Sequence, residues 1–191
     1  MNIFILDEDP VVAAQMLCDK HVPKMIVESA QMLSTAHRLL DGTPTKRRSK
    51  SGKTVQTYYD FNDERDNMYY LAVHKHHPCT TWTMASLTNY NWHYTHFEAM
   101  ADEYTYRRGK VHKTWRDLGP MLKNPPQNIK DIGLTEFYQA MTHYPECMVE
   151  GNAVQAYHNY YHMAKWFAKW EWGRPQPDWW KGYQGAEVHT A

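Results

Sequence analysis

The stretch DKHVPKMIVESAQMLSTAHRLL, Asp19 to Leu40, is the strongest helical pattern in the chain. Val22, Met25, Ile26, Met32, Leu33, Ala36, Leu39 and Leu40 recur at three- and four-residue steps and make one apolar face. Lys24, Glu28, Gln31 and Thr35 form a second stripe beside it. At about 100° per residue, Glu28 lies roughly 40° from Met32, at the border of the apolar face. A solvated face would sit on the opposite side, so a carboxylate, a lysine and an amide at the core boundary resemble the wall of a cleft. The plain alternative is an i,i+4 pair between Lys24 and Glu28, worth a few tenths of a kcal/mol. The cleft reading gains weight only if other stripes converge on it.

The rest of the chain fits a mainly α, single-domain helical bundle with one short N-terminal strand or extended lead-in at residues 2–6. At 191 residues, 42% hydrophobic and 22% charged, the chain is globular and of one-domain size. The expected division is a helical catalytic domain at 1–175 and an irregular tail at 176–191. No apolar run reaches membrane-spanning length, and MNIFILDEDP has no basic segment ahead of its apolar residues. Three cysteines at wide spacing make neither a disulfide framework nor a zinc pattern, which suits a reducing cytoplasm. A net charge of zero argues against strong non-specific attraction to nucleic acid but leaves a local basic patch open.

In chain order, Asp9 and Pro10 read as N-cap and first position of a helix reaching about Cys18. Pro23 is tolerated only in a first turn, so the organising helix starts near Asp19–Val22 and places His21 beside Lys24 and Glu28. Residues 43–57 carry Lys46, Arg47, Arg48, Lys50 and Lys53 and read as a flexible basic loop able to meet phosphates. A helical pattern resumes over residues 66–76 and ends at His74, His76 and His77. A single helix is expected over 82–108, where Trp82, Ser86, Asn89, His93 and His96 form a second polar-aromatic stripe. Buried polar groups need partners, so that stripe faces another polar stripe or lines a pocket.

A second basic cluster, Glu103 to Arg116, interleaves cations with aromatics, as phosphate contact plus base stacking requires. Thr135 caps a short helix to Met141. Asn152 opens the last long helix, to about Trp172, with Tyr157, Tyr161 and Lys165 stepping by four.

No glycine-rich phosphate loop, nucleophile elbow or HExxH motif is present. A carboxylate beside a lysine and histidines suits cleavage at a sugar carbon, where a cationic sugar is stabilised by the acid and water is oriented by it. If the substrate is a base in DNA, it must first leave the stack for an aromatic-lined pocket.

The runs DKHVPKMIVESAQMLSTAH, EYTYRRGKVHKTW, TEFYQAM and AVQAYHNYY resemble motifs of small helical phage and bacterial DNA glycosylases of the pyrimidine-dimer type. More narrowly, the chain is similar to antiviral glycosylases that excise glucosylated hydroxymethylcytosine from phage DNA. The resemblance spans about residues 1–175 and implies a mainly helical enzyme that leaves an abasic site. Pro23 departs from it, since an apolar residue is expected there. Asn2 follows Met1 where the dimer glycosylases carry an N-terminal threonine nucleophile, so a lyase route of that kind is not expected.

The leading expectation is therefore a DNA glycosylase for a modified or damaged pyrimidine, with phage or damaged DNA as partner, no cofactor, no bound metal, no membrane association and a monomeric state. Glu28, Lys24 and His21 are the catalytic candidates. Gln31, Thr35, Trp82, Ser86, Asn89, His93, Tyr157 and Tyr161 are the base-contacting candidates, and Arg47, Arg48, Arg107, Lys110, His112 and Lys165 the phosphate-contacting ones. The alternatives are a metal-dependent nucleotide phosphohydrolase using His74, His76 and His77, a phage-related base-modifying transferase, and a non-enzymatic DNA-binding module.

Overall fold

The organising helix, α2, runs His21–Asp41 and starts where Pro23 requires, with the proline in its first turn. Its apolar face is sealed: Val22, Met25, Ile26, Met32, Leu33 and Ala36 are all buried. The computed structural model describes residues 1–185, so the end of the expected tail, residues 186–191, lies outside the described residues. Ahead of α2, α1 spans Pro10–Met16, and the Asp9 side chain accepts from the amides of Val11 and Val12 at 2.8 and 3.0 Å. Such a cap contributes about 1 kcal/mol.

Residues 43–60 are an antiparallel ribbon rather than a flexible loop, with β1 at Thr43–Arg48 and β2 at Val55–Asp60 paired in the register Thr43↔Asp60 to Arg48↔Val55. The helix expected over 66–76 shrinks to one turn, α3, Arg65–Met68. The helix expected over 82–108 is two: α4, Pro78–Ala85, and α5, Leu87–Arg108, broken at Ser86 in extended conformation. Gly109 ends α5 in the left-handed region at φ 66°, where a side chain would be strained. α6 spans Lys113–Leu122 and α7 spans Ala153–Ala164, shorter than the expected reach to Trp172. No helix forms over residues 135–141, which run irregularly to a 3₁₀ turn at Pro145–Cys147. Residues 2–6 form no strand; they are a buried, irregular lead-in.

The result is a mainly α single domain whose only sheet among the described residues is the ribbon. α2 sits centrally against α4, α5 and α6, and α1 crosses α5. Past α7 the chain folds back: His158 stacks on Trp179 at 4.1 Å, His162 on Trp180 at 5.0 Å, and Tyr161 meets both tryptophans edge-on. No described helix is long and apolar enough to cross a membrane.

Candidate active site

Glu28 faces a cavity of about 330 Å³ that three parts of the chain enclose. Lys24, Met25 and Glu28 come from α2, Met1, Asn2 and Phe4 from the lead-in, and Thr142, His143, Tyr160 and Lys165 from the chain after α6; His77 completes the wall. The carboxylate is 16% exposed, enough to meet a ligand while remaining largely shielded from bulk water. Its Oε2 accepts from the Asn2 backbone amide at 2.9 Å, and its Oε1 lies 3.7 Å from Lys24 Nζ. Lys24 is 66% exposed, so the ion pair is solvent-screened and leaves a carboxylate edge for the cavity.

Asn2 fixes this arrangement. Its side-chain oxygen accepts from the amides of Ile3 and Phe4 and from the Tyr157 hydroxyl at 2.8, 3.2 and 2.8 Å, and its Nδ2 donates to Ala140 O at 2.9 Å. One buried amide thus ties the lead-in to α7 and to the irregular segment before the 3₁₀ turn. Phe4 pays a conformational cost there, with φ at 58°, unusual for an aromatic residue. In that conformation its ring stacks on His21 at 4.4 Å and on Tyr160 at 6.2 Å.

Positive charge gathers around the acid. The Met1 amino group is 3.9 Å from Glu28 Oε2, on a residue whose side chain is buried. Lys165 sits just past the end of α7, with Nζ 3.9 Å from the centre of the Tyr160 ring and 5.3 Å from that of Phe4. Burial, with Lys24 adding to it, pulls the Lys165 ammonium down to about 8, while Cys18 and Glu28 oppose the shift. His77 spends Nδ1 on capping α4, accepting from Cys79 N at 3.2 Å, and burial holds it below its ordinary value.

Of the three catalytic candidates, Glu28 and Lys24 line the cavity and His21 does not. His21 lies beneath Phe4, buried, with Nδ1 2.5 Å from the Tyr161 hydroxyl, and burial pushes it down to about 3. It is a prop for the cavity floor. The base-contacting set is corrected almost throughout. Trp82, Ser86, Asn89, His93, Tyr157 and Tyr161 are buried in the core. Ser86 donates to Asp131 at 2.9 Å, and Asn89 donates to Trp82 O and Thr135 at 2.8 and 2.7 Å. His93 bridges Thr83 and Ser29, and Thr35 exchanges two hydrogen bonds with Val73. Apart from Trp82 Nε1, which is buried without a hydrogen-bond partner, their polar atoms are satisfied inside the protein, and none of these side chains lines the cavity. Gln31 is half-buried and lies outside the cavity.

The phosphate set divides. Arg107 is withdrawn from it: the guanidinium is buried, 2.9 Å from Asp19 and 3.5 Å from Glu103, and donates to the carbonyls of Leu17 and Gln15. His112 caps α6 and packs edge-on against Tyr104. Arg47, Arg48 and Lys110 are exposed, and Lys165 lines the cavity. Among the described residues no three His, Cys, Asp or Glu side chains stand close enough to hold a metal ion.

Sequence reasoning missed Asn2, Thr142, His143 and Tyr160. Tyr160 lies one position before Tyr161 in AVQAYHNYY, but the four-residue step points to the buried tyrosines instead.

The carboxylate in this cleft lies wholly within the part of the chain that carries a recognisable profile: the pyrimidine dimer DNA glycosylase family matches residues 1–117. The chain belongs to this family. Its role is that of a DNA glycosylase, and its substrate class is DNA. No curated protein and no solved structure matches the chain. Thr142, His143, Tyr160 and Lys165 fall outside the family match, so the cavity joins a family wall to a second wall beyond it.

Proposed function

We propose that the protein removes a modified or damaged pyrimidine from DNA, glucosylated hydroxymethylcytosine of phage DNA among the candidates, in a role such as antiviral defence. The observation that carries this reading is the Glu28 carboxylate, held by the Asn2 amide at the edge of a polar cavity. As the glycosidic bond stretches, positive charge develops on the sugar, and a fixed carboxylate beside C1′ stabilises it more in the transition state than in the ground state. The same carboxylate orients water towards C1′ and takes its proton. The target base must leave the stack to reach it, at a cost of a few kcal/mol. Lys24 and Lys165 supply cations for the flanking phosphates, while Thr142, His143 and His77 offer hydrogen-bonding groups to the extruded base or its substituent.

The test is abasic-site formation in dimer-containing, glucosylated and plain DNA, with the released product identified by mass spectrometry. Glu28→Gln, which keeps shape and one acceptor, is expected to lose at least a hundredfold in rate. Full activity in that variant removes Glu28 from the reaction, and no release from any DNA removes the glycosylase reading.

One observation favours a second route. The Met1 amino group lies 3.9 Å from the same carboxylate, within the cavity. An amine there attacks C1′ in place of water as the base leaves; the C1′–O4′ bond then breaks, O4′ takes up the proton and the opened sugar carries an imine, which borohydride reduces to a stable protein–DNA adduct. An adduct mapped to Met1 selects this route; base release without an adduct selects water.

A further inference from the structure

We propose that the β1–β2 ribbon is a DNA-gripping arm that lays its Lys46/Arg48 face in the major groove of the duplex flanking the extruded nucleotide. The proposal rests on DNA being the substrate and extends that reading to a separate surface.

The ribbon is not part of the core. Every residue of β1 is exposed, and Val55, opposite Arg48 near the tip, is 65% exposed. Its two faces differ in charge satisfaction. Side chains alternate along each strand, and directly paired residues share a face. One face therefore carries Thr45, Arg47, Tyr58 and Asp60, and it is closed on itself: Arg47 makes a two-pronged ion pair with Asp60 and lies 4.0 Å from the Tyr58 ring centre. The other face carries Lys46, Arg48, Val55, Thr57 and Tyr59 with no carboxylate, and Lys75 adds a further cation 5.1 Å from the Tyr59 ring centre. Lys50 and Lys53 follow in the connecting turn.

The root of the ribbon is rigid. Arg38, fully buried on α2, donates to the carbonyls of Tyr59, Tyr69 and Tyr70 and pairs with Asp66 at 3.0 Å. Gly42, where α2 passes into β1, leaves no room for a Cβ, which would sit 2.5 Å from Arg38 O and 3.1 Å from the Tyr59 carbonyl carbon. The arm is thereby clamped to the helix that carries Glu28.

Gly42 follows Glu28 by fourteen residues, which puts the root of the arm about 21 Å along the α2 axis from the acid, and Lys46 and Arg48 stand four and six residues further out on β1. The major groove admits a two-stranded ribbon, and its phosphate walls complement a face of unpaired cations. A rival role is protection of the open strand edges against pairing with other chains, which exposed lysines and Pro44 also provide.

The experiment measures binding of full-length protein to a plain duplex, which needs no base release, as a function of salt. Lys46→Thr with Arg48→Thr keeps strand-forming residues and is expected to lower the log K against log salt slope by about 1.8, two phosphates' worth. Lys46→Arg with Arg48→Lys is expected to retain the slope. Arg65→Thr with Lys169→Thr removes the same charge where Asp63 and Glu171 pair the cations, and is expected to change it little. Stepwise shortening of one flank of the duplex is expected to weaken the native protein and not the threonine variant. An unchanged slope, an equal drop in the Arg65/Lys169 control, or insensitivity to both flanks overturns the proposal. Aggregation of the threonine variant with undiminished duplex binding also overturns it, in favour of edge protection. Absent base release with ribbon-dependent binding intact defeats the proposed reaction and leaves the arm standing.

Discussion

Mild acid is expected to destabilise this protein sharply, through histidines buried in neutral form. His93 shows why. The Thr83 hydroxyl donates to Cys79 O at 2.8 Å, so it accepts from His93 Nδ1, and Nε2 is left to accept from Ser29. The site has no place for a second proton. Burial lowers His93 and His21 to about 3 and His37 to about 4. An unfolded histidine takes its proton near 6.5, so between that point and 3–4 the unfolded state binds more protons, and stability falls as pH falls. Between pH 7.5 and 5.5 each of the three loses a little over 1 kcal/mol, on the order of 4 kcal/mol together. Burial also lowers His96 to about 4, but there the carbonyls of Pro10 and Ile3, one at each ring nitrogen, oppose the shift by favouring the imidazolium. Against a total of about 5–15 kcal/mol this is a large fraction. Urea unfolding at pH 7.5, 6.5 and 5.5 reads it directly. A midpoint that stays constant across that range refutes the reasoning, and His93→Gln is expected to flatten the dependence by one proton.

Three further outcomes follow from the site and its supports. Arg107→Met leaves Asp19 and Glu103 short of a buried partner and is expected to cost about 3–5 kcal/mol, on the order of 10 °C in Tm, with duplex affinity of the folded protein unchanged; a lost salt slope at constant Tm would return Arg107 to the phosphate surface. Lys165 titrates near 8 and is cationic below it, so KM for DNA is expected to rise as pH passes upward through 8, and Lys165→Arg to abolish that rise; a native profile in the arginine variant assigns the rise elsewhere. Asn2→Ala removes the acceptor for two amides and a hydroxyl and is expected to cost about 2–3 kcal/mol in urea unfolding and to lower base release beyond that loss of folded protein; release that merely tracks the folded fraction means Asn2 does not position Glu28.

The acid and its helix were legible because both rest on local rules. Pro23 sets the start of α2, and helical spacing alone puts Glu28 at the border of an apolar face. The Asp9–Pro10 cap was readable for the same reason. What misled was polarity in the interior. Ser86, Asn89 and His93 have the spacing of a pocket wall, yet Asp131, Thr135 and Ser29 satisfy them across distances in sequence that no periodicity reveals. Arg107 was misread in the same way, its acid partner Asp19 being 88 residues away. The ribbon passed for a loop because strand patterns are recognised by an alternating apolar face, and both of its faces meet water. Lys165 escaped the tyrosine stripe because α7 ends at Ala164 and the chain turns there.

The clasp of Asn2 joins the family-matched stretch bearing the acid to the later stretch bearing Thr142, His143, Tyr160 and Lys165. Such a joint lets one wall of the cavity change while the other keeps its place: substitutions in the later stretch are expected to alter what the cavity admits without displacing Glu28.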